Sequence, residues 1–139
     1  EEYSLRDYSM ADGSPLFLYV RKDSPFGREE ADVVFDDFES GSYTDWMLEG
    51  DCFGDAPAAG TLPGQGMVQG YEGRYLVNTM YGGKEATGRA LSRPFVIRHN
   101  YIQFLLGGGY HPGEASISLL VEGSPVVTQE SNKGYCLLP

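Results

Sequence analysis

The stretch ASISLLVEGSPVVTQ, residues 115–129, decides the fold class. In its first half Ile117, Leu119 and Val121 fall on one face and Ser116, Ser118 and Glu122 on the other. That two-residue period belongs to a half-buried antiparallel strand. Gly123 then opens a tight turn into a second apolar run, PVVTQ, so the segment reads as a hairpin.

Outward from this hairpin, similar short runs recur: PLFLYV (15–20), ADVVFDDF (31–38), DWMLEGDCF (45–53), RYLVNTMY (74–81), ALSRPFVI (90–97) and YIQFLLG (101–107). Short strands separated by turn signals predict an all-β domain, an antiparallel β-sandwich or barrel. Only SPFGREEADVV (24–34) offers a helical turn, and its Gly and Pro limit it to about one turn. Residues 1–30 differ in texture and are read as an N-terminal extension carrying one edge strand or a linker, with the main module over 31–139. Residues 54–72, rich in Gly, Pro and Ala, predict a long irregular loop that is functional or wraps the core. In GGGYHPGEA (107–115) three glycines permit close approach by a ligand or another strand.

Ten Lys and Arg against 20 Asp and Glu give a net charge of −10, which opposes nucleic-acid binding and attachment to anionic lipid. The acidity lies in the N-terminal third, and no apolar run is long enough for a membrane helix. The start, EEYSLRDYSM, has neither an initiator Met nor a signal-like region and is read as trimmed. Cys52 and Cys136 admit a single disulfide, but two unpaired buried thiols fit better.

His99 and His111 lie in no nucleophile motif, and GGGYHPG lacks the Lys and hydroxyl of a phosphate loop. No nucleophile with its base is legible, so catalysis is not assigned to this chain. The acidic run FDDFESGSYTDW (35–46) makes Asp36, Asp37 and Glu39 candidates for a structural calcium, against the simpler reading of an acidic turn. Phe35 and Phe38 are assigned to the core. Sugar binding needs aromatic faces and planar polar groups. Trp46, Tyr71, Tyr75, Tyr81, Tyr101 and Tyr110, with Asn78, Glu85, Arg89 and His111, are compatible with such a platform.

Residues 35–127 also carry a set of motifs: Phe35, Asp37, Phe38, Glu39 and Trp46; then Gly50, Asp51, Phe53, Gly54, Ala56, Pro57 and Ala58; then Leu76–Val77–Asn78, ATG before SRPF, and YIQFLLGGGYHPG leading to LLVEG. Together these resemble a β-sandwich accessory module found in many bacteria with family 32 glycoside hydrolases, the levanases and other fructan hydrolases. The resemblance implies a jelly-roll, galactose-binding-like sandwich. It also implies an extracellular, cell-surface or periplasmic setting after signal-peptide removal, and a hydrolase catalytic domain in the same polypeptide. The catalytic motifs of those hydrolases, Asn-Asp-Pro-Asn, Arg-Asp-Pro and Glu-Cys, do not occur here. The family's module continues through a Trp-Asp-Val strand and a Gly-Gly-Trp-Gly-His loop, so one or two strands are expected beyond SNKGYCLLP.

The expected function is therefore a non-catalytic module contacting fructan or a related glycan. Trp46 or Tyr81 would stack, Asn78, Arg89, Tyr110 and His111 would hydrogen-bond, and the Gly107–Gly109 backbone would approach the sugar. No cofactor is expected beyond that calcium. The rival readings are a docking domain packed on the catalytic domain without a sugar site, and an acidic calcium-stabilised adhesive domain.

Overall fold

A computed structural model describes residues 3–8, 16–20, 33–109, 113–131 and 134–138, with side chains from residue 33 onward except Tyr135, Cys136 and Leu138. The described residues form nine strands and no helix: β1 (Tyr3–Tyr8), β2 (Leu16–Val20), β3 (Val33–Asp36), β4 (Trp46–Gly50), β5 (Gly88–Ser92), β6 (Gln103–Gly108), β7 (Ser116–Val121), β8 (Ser124–Glu130) and β9 (Gly134–Leu138). The helical turn expected over 24–34 falls outside the described residues up to 32, and Val33 and Val34 are strand. No helix among the described residues is long and apolar enough to cross a membrane.

All pairings are antiparallel and make two sheets, a five-stranded one ordered β4-β5-β1-β7-β8 and a four-stranded one ordered β3-β2-β6-β9. The N-terminal stretch contributes two strands, each with neighbours on both sides, where one edge strand or linker was expected. The hairpin read from 115–129 is present, with Glu122 and Gly123 both at positive φ (51° and 80°). Two central residues at positive φ match the right-handed twist of the flanking strands.

Two expected strands need correction. RYLVNTMY forms no strand; Leu76 alone bridges to Ala58, by reciprocal backbone bonds of 2.8 and 2.9 Å. Residues 76–80 are buried one after another rather than alternately, and the Asn78 side chain accepts from the Met80 amide, a local turn that competes with a ladder. ALSRPFVI stops being strand after Ser92: Pro94 has no amide to donate, and Arg93 instead donates its amide to the Asp45 carbonyl at 2.8 Å.

One buried cluster draws on both sheets: Trp46, Ala90 and Ile117 from the first, and Leu106 from the second, joined by Phe38, Cys52, Phe53 and Val77 from the connections. Phe35 and Phe104 of the second sheet pack against it. Neighbouring Leu105 on β6 packs instead against a second cluster of Val68, Leu76 and Leu137, together with Tyr71. The 54–72 loop thus wraps the core, its Gln69 carbonyl accepting from the Leu137 amide of β9.

The sheets are tied where the chain passes from β3 to β4. Trp46 Nε1 donates to Asp36 Oδ2 at 2.6 Å, while the Trp46 ring meets Phe35 edge-on (6.4 Å) and Phe38 at a tilt (5.6 Å). Phe38 has φ 60° and no solvent exposure, so packing holds a bulky residue in the left-handed region. Phe35 and Phe38 serve the core, as expected. Trp46→Phe removes a charge-assisted bond and leaves Asp36 Oδ2 without that donor, an expected loss of about 2 kcal/mol in urea unfolding. Asp36→Asn retains an acceptor oxygen and is expected to cost less.

Candidate functional site

Among the aromatic candidates, Trp46 is core, 8% exposed, with its N–H occupied by Asp36. Tyr81 is 42% exposed. Gly54, at φ 68°, is the floor beneath its ring: a Cβ there would stand 2.6–2.7 Å from three ring atoms. The Tyr81 amide donates to the Cys52 carbonyl at 3.2 Å, which fixes the backbone under the ring. Burial, and then the negative charge of Asp55, push the Tyr81 phenol above its ordinary pKa.

Asn78 is wholly buried and acts as a pin for the 60–65 loop. Its Nδ2 donates to Gln65 Oε1 at 2.6 Å and to the Gly60 carbonyl at 3.3 Å, while Oδ1 accepts from the Met80 amide at 3.2 Å. Arg89 is half-buried on β5, opposite Glu49 on one side and Tyr8 on the other. Its Nε is buried without a hydrogen-bond partner among the described residues. Tyr110 and His111 lie outside the described residues. Gly107 and Gly108 are buried in β6, and the close approach that the glycines allow is taken by β9, with Gly108 opposite Gly134.

The acidic candidates are each spent on the backbone or on Trp46. Asp36 Oδ1 accepts from the Phe38 amide at 2.8 Å, and Asp37 Oδ1 from the Glu39 amide at 3.0 Å. Glu39 Oε1 spans to the Arg74 and Tyr75 amides at 2.7 and 2.9 Å. No group of three or more His, Cys, Asp or Glu among the described residues could hold a metal ion. Cys52 is buried in the core, and the Cys136 side chain lies outside the described set.

Among the described residues, two clefts lie elsewhere, around the irregular segment 93–102. One cleft, about 240 Å³, has a floor of Phe104, Ile117 and Leu119 and a rim of His99, Asn100, Tyr101 and Gln129. A second, about 330 Å³, lies between Val33–Phe35 and Arg93–Arg98. They share Ile97, His99, Tyr101 and Ile102 as a common wall, making one bipartite groove. Tyr101 stands in that wall 51% exposed. The segment is anchored at its start, because Arg93 Nε bonds Asp45 Oδ2 at 3.0 Å and its guanidinium lies 5.1 Å from the Phe35 ring centre, while Phe95 packs on Phe35 at 4.8 Å. Of the described residues expected in a platform, only Tyr101 lines this groove. The signal that marks the groove in the sequence is Pro94, which follows the end of β5 and after which residues 96–102 form no strand.

Neither a protein-family model nor a solved structure matches the chain. A protein of Aspergillus rugulosus named "Putative glycosyl hydrolase ecdE" is 41% identical over 97 residues, 68% of this chain. The match spans only 14% of that protein's length, so the chain is related to a small part of it.

The placements of Tyr81 and Asn78 have measurable consequences. Gly54→Ala is expected to cost about 1–2 kcal/mol, because Ala is strained at that φ and meets the Tyr81 ring. In a Tyr81→Ala background the penalty is expected to shrink, which a double-mutant cycle measures. Asn78→Ala removes the bonds to Gln65, the Gly60 carbonyl and the Met80 amide, so the melting temperature is expected to fall by an amount equivalent to about 2–3 kcal/mol.

Proposed function

We propose that the chain is a non-catalytic accessory portion of a glycosyl hydrolase, a sandwich of jelly-roll type, which holds a glycan in the groove around Tyr101. The observation that carries this reading is the make-up of the first cleft: an aromatic side chain half exposed beside an apolar floor, with His99, Asn100 and Gln129 at the rim. Sugars present apolar C–H faces to such rings and hydroxyls to such amides. The relation to part of a glycosyl hydrolase supports the carbohydrate setting. The sequence resemblance supplies levan and inulin as first ligands, a catalytic domain in the same polypeptide as partner, and a secreted or surface location. Tyr81 on Gly54, with one ring face covered, is a subsidiary stacking candidate.

A second reading, docking onto the rest of the hydrolase, is favoured by exposed apolar side chains that line the same groove: Val33, Val34, Val96 and Val127. Titration calorimetry with levan, inulin and short fructo-oligosaccharides separates the two. Glycan binding predicts an affinity that weakens about five- to tenfold in folded Tyr101→Ala, the loss of a stacking contact worth ~1–1.4 kcal/mol. Asn78→Ala, corrected for its folded fraction, is expected to bind like the parent. Absence of heat with every glycan tried, from a chain shown to be folded, favours docking.

A further inference from the structure

We infer that the groove prefers a carboxylate-bearing sugar, a uronic-acid residue in an oligosaccharide, over neutral fructan; this rests on the glycan reading above. The chain carries 20 Asp and Glu, yet among the described residues none lines either cleft. Residues 86–113, which include the whole shared wall, contain three arginines and no acid. Recognition of a neutral sugar's hydroxyls calls for acceptors as well as donors, and the strongest side-chain acceptors are carboxylates. The described lining of the groove holds none.

What it offers is cationic donors in an apolar frame. Arg93 is already paired with Asp45, which fixes it and spends part of its charge. Arg98 is exposed and makes no ion pair among the described residues. It lines the second cleft beside the wall bearing His99 and Tyr101. A sugar ring against Tyr101 in one cleft would leave a carboxylate on the neighbouring sugar for Arg98 in the other. A guanidinium fork pairs with a carboxylate in bidentate fashion, a geometry that a lone hydroxyl cannot use.

The test is NMR titration of the ¹⁵N-labelled chain at low salt with oligogalacturonate, fructo-oligosaccharide and acetate. The expected result is saturable shifts with oligogalacturonate at affinity at least fivefold above fructo-oligosaccharide. That preference should vanish in Arg98→Gln and decline as salt rises, because exposed charges are screened. Fructo-oligosaccharide binding equal to or tighter than oligogalacturonate, untouched by Arg98→Gln, overturns the preference and leaves the glycan reading standing. Acetate matching oligogalacturonate per carboxylate reduces the groove to an anion site and overturns it too. Binding of no sugar by a chain with a dispersed, folded spectrum removes both this inference and the reading beneath it.

Discussion

The hydrogen bond from the Trp46 indole to the Asp36 carboxylate is the constraint on which the rest of the molecule hangs, because β3 and β4 belong to different sheets and consecutive chain joins them. Nine residues separate Asp36 from Trp46, and within them Phe38 is driven into the left-handed region so that its ring enters the core. Glu39 reaches in the other direction to hold the Arg74 and Tyr75 amides, and Asp45 holds both the amide and the guanidinium of Arg93. One acidic connection thereby fixes the two segments that follow it in space, 73–80 and 93–102. The acidity of this region acts locally, as acceptors for backbone and indole donors.

The same logic covers much of the motif set in residues 35–127. Gly50 has no room for a Cβ against Thr87, Asp51 accepts from the Thr87 amide at 3.2 Å, Phe53 is core, and Gly54 floors Tyr81. Leu76 and Val77 are buried and Asn78 ties down the loop at Gly60–Gln65. These residues maintain a shape and leave little side-chain surface for a ligand. Under the proposed reading, recognition falls to the less regular wall between Arg93 and Ile102.

The β class was legible because period-two alternation at 115–122 and the Gly123 turn each dictate local geometry by themselves. Boundaries failed where a side chain offered the backbone another partner, as at Asn78, or where proline withdrew a donor, as at Pro94. β1 escaped notice because YSLRDY is short and charged, and its place between β5 and β7 is set by pairing with residues more than eighty positions away. Trp46 and Asn78 looked like ligand groups because composition cannot tell an aromatic or amide that serves the core from one that faces water. The groove was illegible for a related reason: its walls come from β3, the 93–102 segment, β6, β7 and β8, and sequence spacing does not bring those together.

Under the proposed reading the shared wall of the two clefts, with Tyr101 half exposed in it, is the surface where binding is read. The direct measurement is intermolecular nuclear Overhauser contact between a bound oligosaccharide and the labelled chain. Contacts from sugar protons to the Tyr101 ring and to the methyl groups of Leu119 and Val127 are the expected result. Sugar contacts confined to Tyr81 and the Gly54 loop, with none to Tyr101, would contradict the groove as the ligand-bearing face.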